Sequence, residues 1–178
     1  MKITKLIFLF SLVIATVSCN KKDDDNFEPP YSLTRTNFVD TYSLKGLEKM
    51  EVETVTFTNG STSTSSTAIV GVTFQNVKYS FNSDGSFTAS GLLSTVSTTT
   101  NPDGSTETSE PLLINLDKTG TYTLNTSTKS LVLTDQDNVQ TIFEITEYTE
   151  TEMKLHSEST VTIGNSTTVT TQDFRFTR

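Results

Sequence analysis

A two-residue hydrophobic period, recurring from about residue 49 to the end of the chain, most constrains how this sequence folds. Val77, Tyr79 and Phe81 fall on one face of such a segment, with Lys78 and Ser80 opposite. Phe87, Ala89 and Gly91 repeat the pattern, as do Tyr122 with Leu124 and Leu131 with Leu133. Thr141-Phe143-Ile145, Met153 with Leu155, and Phe174 with Phe176 complete the series. Alternation over four to eight residues marks strands with one buried face, and no stretch of helical period competes. Ahead of it, Phe38, Leu44 and Leu47 are expected to form a short helical or irregular lead-in.

The breaks agree with the period. Asn59-Gly60, Asp84-Gly85, Asp103-Gly104 and Gly164-Asn165 lie between alternating segments, where hairpin turns need residues that tolerate positive φ. Pro102 presets the backbone ahead of Asp103. Thr126-Ser127-Thr128 and Asp135-Gln136-Asp137-Asn138 are further polar breaks. Strand following strand through short loops predicts an all-β domain, an antiparallel meander of about 8–10 strands, closing as an up-and-down barrel or stacking as a β-sandwich. Thr58 to Thr67 and Ser94 to Glu110 are almost wholly polar. They read as mobile ribbon or loop, or as arms that rim a cavity or grip a partner.

Composition explains how such strands survive with a thin core. Leu, Ile, Val and Phe make up about 23% of the residues from Cys19 onward, close to the roughly 20% below which a highly charged chain stays unfolded. Thr supplies about one residue in five, and its β-branched side chain suits a half-buried pleated surface. Many strand faces should therefore be wet.

The start of the chain sets an address. Lys2 and Lys5 precede an apolar run from Leu6 to Val17, broken only by Ser11 and Thr16. That run is the length of a secretory signal and too short to cross a bilayer, which takes about 20 residues. Cys19 is the only cysteine, so no disulfide framework exists. Thr16-Val17-Ser18-Cys19 resembles the lipobox of bacterial lipoproteins, with Thr16 where Leu is usual. The resemblance implies that the signal, residues 1–18, is removed and that Cys19 is acylated by the lipoprotein processing machinery. Two or more acyl chains anchor a protein stably, at about 0.8 kcal/mol per buried CH₂. Residues 19–40 then serve as a tether, stiffened at Pro29-Pro30, and 41–178 as the β domain. Lys22-Asp23-Asp24 resembles the export signal of surface lipoproteins of the Bacteroidota. It implies the outer face of the outer membrane; a periplasm-facing protein is the alternative.

A second resemblance covers residues 75–158. Asn82-Ser83-Asp84-Gly85 precedes the Gly120-Thr121-Tyr122 strand, Leu131-Val132-Leu133 and Ile142-Phe143-Glu144-Ile145 follow, and a hairpin runs from Ile145 to Leu155. This series resembles the lipocalin-like domain of small Bacteroidota lipoproteins, which implies a barrel. Lipocalins also carry a Trp on the first strand, packed by an Arg from near the chain's end. This chain has no Trp. Arg175 is the expected echo of that Arg, and the closed end of the barrel must be built differently.

Little chemistry is available. Loss of Lys2 and Lys5 with the signal takes the net charge from −8 to −10, which disfavours nucleic acid, a partner gripped through Lys and Arg. His156, the lone histidine, is expected on an outer strand face with Lys154 and Glu158; Ser157 points the other way, so no nucleophile–base pair forms. One Cys and one His cannot build a zinc site. Asp135-Gln136-Asp137-Asn138 lacks the glycine and closing Glu of a calcium loop. Glu150 and Glu152 read as solvated. The expectation is a protein that is not an enzyme and needs no cofactor or metal. Its barrel would bind a small apolar or amphipathic ligand against Val77, Tyr79, Phe81, Phe87, Tyr122, Leu124, Phe143 and Ile145. The alternative is a surface interaction or structural module that holds glycan or protein through its Thr-rich arms.

Overall fold

The computed structural model describes residues 31–178. Cys19, the signal and Lys22-Asp23-Asp24 lie outside the described residues. A short helix α1 (Arg35–Phe38) leads into nine strands: β1 (Thr41–Thr56), β2 (Thr62–Phe81), β3 (Ser86–Thr100), β4 (Thr106–Thr108), β5 (Leu112–Asn125), β6 (Ser130–Asp135), β7 (Gln140–Tyr148), β8 (Glu152–Ile163) and β9 (Ser166–Thr177). The sheet order is β2-β1-β9-β8-β7-β6-β5-β3-β4, and β2 also pairs with β3. That last pairing closes eight strands into an antiparallel up-and-down barrel, with β4 riding on the edge of β3. The barrel forms instead of a sandwich.

The alternating residues turn inward as their period requires. Val77, Phe81, Phe87, Ala89, Leu131, Phe143, Ile145, Met153, Leu155 and Phe176 are all buried. Turn chemistry sets the register between them. Asp84 Oδ1 accepts from the Ser86 amide at 2.8 Å and the Ser86 hydroxyl at 2.7 Å, while Gly85 takes a φ of +90° that a side chain would resist. The same device recurs with Asp103 and Ser105, at 2.9 and 2.6 Å. Gly91 does not pack like its alternating neighbours Phe87 and Ala89. It faces a bulge in β2, where an added Cβ would lie 2.5 Å from the Asn76 carbonyl.

Three expectations need correction. Residues 31–40 were assigned to the tether, yet Phe38 is fully buried. Its ring lies 4.7 Å from Phe81 and 5.5 Å from Tyr122, so α1 plugs one end of the barrel. Thr34 caps this helix by accepting from the Asn37 amide at 3.1 Å. Leu44 and Leu47 belong to β1 itself. Arg175, for its part, is exposed on the outer face, and Arg178 performs the closing role instead.

The Thr-rich segments are paired strand, not loose ribbon. Glu53 pairs with Ser65 and Ser66 with Thr100. The β8–β9 hairpin extends alongside them, with Val55 opposite Ser166. Segments of β8, β9, β1, β2, β3 and β4 therefore continue past the barrel as a six-stranded apron. Threonine hydroxyls bond across its strands, Thr54 to Thr64 at 3.3 Å and Thr162 to Thr167 at 3.1 Å.

Candidate functional site: the open mouth of the barrel

The two ends of the barrel are built from opposite materials. At the closed end Arg178 gathers three phenols. It donates to the hydroxyls of Tyr31 at 2.6 Å, Tyr42 at 2.7 Å and Tyr148 at 2.6 Å. It also donates to the Asn37 carbonyl, and its Nε lies 3.1 Å from Asp40 Oδ2. Its guanidinium sits over the rings of Tyr31, Tyr42 and Tyr148 at 5.0, 5.1 and 5.5 Å, an arrangement that favours a cation. Burial pushes the Tyr42 and Tyr148 phenols upward, so both stay neutral hydroxyls. An Arg over an aromatic ring of the first strand thus closes this barrel, with Tyr42 as the ring.

The other end is a cup of about 260 Å³. Phe87, Phe143 and Phe174 form its floor with Leu116 and Leu133, and Tyr79, Lys118 and Gln172 stand around it. Phe143 and Phe174 meet edge to face at 5.5 Å. Burial pushes the Tyr79 phenol up to about 12. Among the described residues that hydroxyl has no hydrogen-bond partner and Lys118 forms no ion pair. Asp135 also borders the cup, but its Oδ1 is held in a turn by the amides of Asp137 and Val139, both at 2.9 Å. The cup thus offers an apolar floor, one unpartnered hydroxyl and one rim cation.

The eight residues expected to line a ligand site divide in two. Tyr79, Phe87 and Phe143 meet at the cup. Val77, Phe81 and Ile145 are within 2% of complete burial and fill the core. Tyr122 joins them; its hydroxyl donates to the Asn82 carbonyl at 2.8 Å. Leu124 packs beside them, partly buried. Leu116 and Lys118 of the cup were missed. Their signal was present, since both are in phase with Tyr122 and Leu124 along β5. Phe174 was seen as a strand residue and not as a lining one.

Other groups stay apart from this site. His156 Nδ1 lies 2.8 Å from Asp173 Oδ1, a cross-strand pair on the outer face. Ser157, one residue on, points to the opposite face. No group of three or more His, Cys, Asp or Glu among the described residues is placed to hold a metal. A groove of about 350 Å³ on the barrel wall reaches Lys154, which is already tied to Glu147 at 2.6 Å. Comparison of the chain with protein-family models, with curated proteins and with solved structures found no match.

Proposed function

We propose that this chain is a lipid-anchored lipoprotein of the outer membrane, carried to the cell surface, whose barrel mouth holds a small amphipathic ligand. The observation that carries the reading is the cup: an apolar floor beneath the unpartnered Tyr79 hydroxyl and the rim cation Lys118. Small-molecule sites are commonly about 300–1,000 Å³, mostly apolar with a few convergent polar groups. A cup of about 260 Å³ falls just below that range and selects a small ligand. Its apolar part sits on Phe87, Phe143 and Phe174, and an anionic or hydroxyl end meets Lys118 and Tyr79. Six buried methylenes contribute about 5 kcal/mol, equivalent to a dissociation constant of about 0.2 mM.

The anchor fits this orientation. Tyr31 is held at the closed end by Arg178, so the chain leading back to Cys19 departs from there. The 11 residues between reach about 40 Å at most. The mouth and apron then face away from the bilayer.

Octanoate is a suitable probe, and native mass spectrometry of the full chain extracted in detergent is the test. A one-to-one adduct is expected, weakened about tenfold by Lys118→Glu. No adduct at 5 mM octanoate, or one indifferent to Lys118→Glu, defeats the ligand reading. Cys19→Ser should release the protein from envelopes, and protease treatment of intact cells should cleave the wild type; a protein shielded until lysis faces the periplasm. A second reading, a surface module that holds protein or glycan through the apron, is favoured by the open sheet edge of β8.

A further inference from the structure

The cup continues sideways through a split in the barrel wall. β7 and β8 pair no farther toward the mouth than Glu144 with His156. Beyond that pair the two strands part, and a cleft of about 320 Å³ opens between residues 140–142 of β7 and 157–159 of β8. Thr141 and Gln172 line both the cleft and the cup, so the two form one continuous depression. With the cleft included, the site enters the usual size range of small-molecule sites.

The inner face changes character in one step along the strands. Leu155, Phe174 and Leu47 stand side by side on β8, β9 and β1 as an apolar row. Two residues on, the row is Ser157, Gln172 and Lys49, and two further it is Ser159, Thr170 and Glu51. Successive rows on one face lie about 7 Å apart. Lys49 and Glu51 neutralise each other at 2.6 Å, and Glu158 carries its carboxylate on the opposite face of β8. The side chains that reach the cleft from this face are therefore hydroxyls and an amide, with no unpaired charge.

Backbone groups add to them. The Ile145 amide donates to the Lys129 carbonyl at 2.7 Å, which turns the peptide edge of Ile145 toward β6. Alternation along the ladder then turns the N–H and C=O of Gln140 and Ile142 the other way, into the cleft. β7 begins at Gln140, so this edge offers two residues, too short a ladder to take up an extended peptide strand.

We propose that the mouth recognises a glycoside, with an apolar aglycone, alkyl or aryl, on Phe143 and Phe174 and a neutral sugar in the cleft. The inference rests on the reading of the cup as a ligand site and names its ligand class. A sugar ring carries several hydroxyls, each both donor and acceptor, and the cleft presents donors and acceptors in two adjacent rows. A carboxylate or phosphate head gains no free cation in the cleft, and a simple alcohol leaves it unfilled.

Hexyl β-D-glucoside and hexan-1-ol share a tail and differ in the sugar. Each is titrated into the folded full chain in detergent and followed by amide chemical shifts, with octanoate as the separate probe of the cup. The glucoside should bind about tenfold tighter than hexan-1-ol and move Ser157, Ser159 and Thr170 as well as Phe143 and Gln172. Ser157→Ala combined with Ser159→Ala should weaken the glucoside about tenfold and leave octanoate binding at the wild-type level, which reports an intact fold. Thr170→Val, which keeps the β-branched shape, should weaken the glucoside about threefold. A glucoside no tighter than hexan-1-ol, or one indifferent to all three substitutions, overturns the inference; octanoate that still binds then leaves the cup reading standing. Failure of octanoate as well brings down both.

Discussion

The closed and open ends of one barrel show how the same strands can be spent on stability or left free. At the closed end polar groups converge on one another: Arg178 bonds three phenols and two carbonyls and pairs with Asp40, and Tyr42 donates to the Phe38 carbonyl at 3.0 Å. Phe38 fills the remaining space, completely buried. At the mouth the aromatic floor continues, but Tyr79 and Lys118 have no partners among the described residues. That contrast supports the proposal that the mouth is the end where a ligand is held.

The sharpest way to break this contrast is to remove the plug. Phe38→Ala should cost about 3–5 kcal/mol, the usual loss for a buried Phe, and lower the denaturant midpoint in a urea titration. An unchanged midpoint would mean that α1 is not part of the core. Next comes Arg178→Met, which removes the cation shared by the hydroxyls of Tyr31, Tyr42 and Tyr148 and leaves Tyr42 and Tyr148 only their bonds to each other and to the Phe38 carbonyl. A loss of about 2–3 kcal/mol is expected, again at the closed end alone, with octanoate binding retained by whatever fraction stays folded.

The mouth has its own signature in alkali. Below pH 10 the Tyr79 phenol is protonated in both folded and unfolded chains. As pH rises from 10 toward about 12 the unfolded chain releases that proton while the folded chain keeps it, so stability falls through this window. The loss attributable to Tyr79 is of order 2 kcal/mol. Tyr79→Phe should remove that part of the alkaline decline and leave stability near pH 7 within about 1 kcal/mol of wild type. An identical decline in the variant would show that Tyr79 is not the buried, unpartnered group described. The smallest effect belongs to the apron, where Thr54→Ala and Thr64→Ala should each change stability by less than about 0.5 kcal/mol.

Much of the fold was legible because burial repeats every second residue. The runs Val77-Tyr79-Phe81 and Thr141-Phe143-Ile145 announce strands, and Asp84-Gly85 announces the turn between two of them. What escaped has physical reasons. Phe38 stands in a four-residue helix, too short to show a period, so its role as a plug depends on contacts 43 and 84 positions away, with Phe81 and Tyr122. Arg178, not Arg175, is in phase with the inward Phe174 and Phe176 along β9, so the period itself pointed to Arg178; its place at the end of the strand hid it. At the mouth, period two identifies inward residues but not how far along the barrel each lies. That is why Val77, Phe81 and Ile145 were grouped with Tyr79, Phe87 and Phe143, though only the latter three reach the cup. The apron was hardest to read, since Thr and Ser alternate with little contrast and the same composition suits a loop.

Amide chemical shifts, followed as octanoate is added to the folded protein, test the division of labour between the two ends most directly. Saturable movements at Tyr79, Lys118, Phe143 and Gln172, with Phe38, Tyr42 and Arg178 still, are the predicted result. Movements centred on the closed end, or none at 10 mM octanoate, would contradict it.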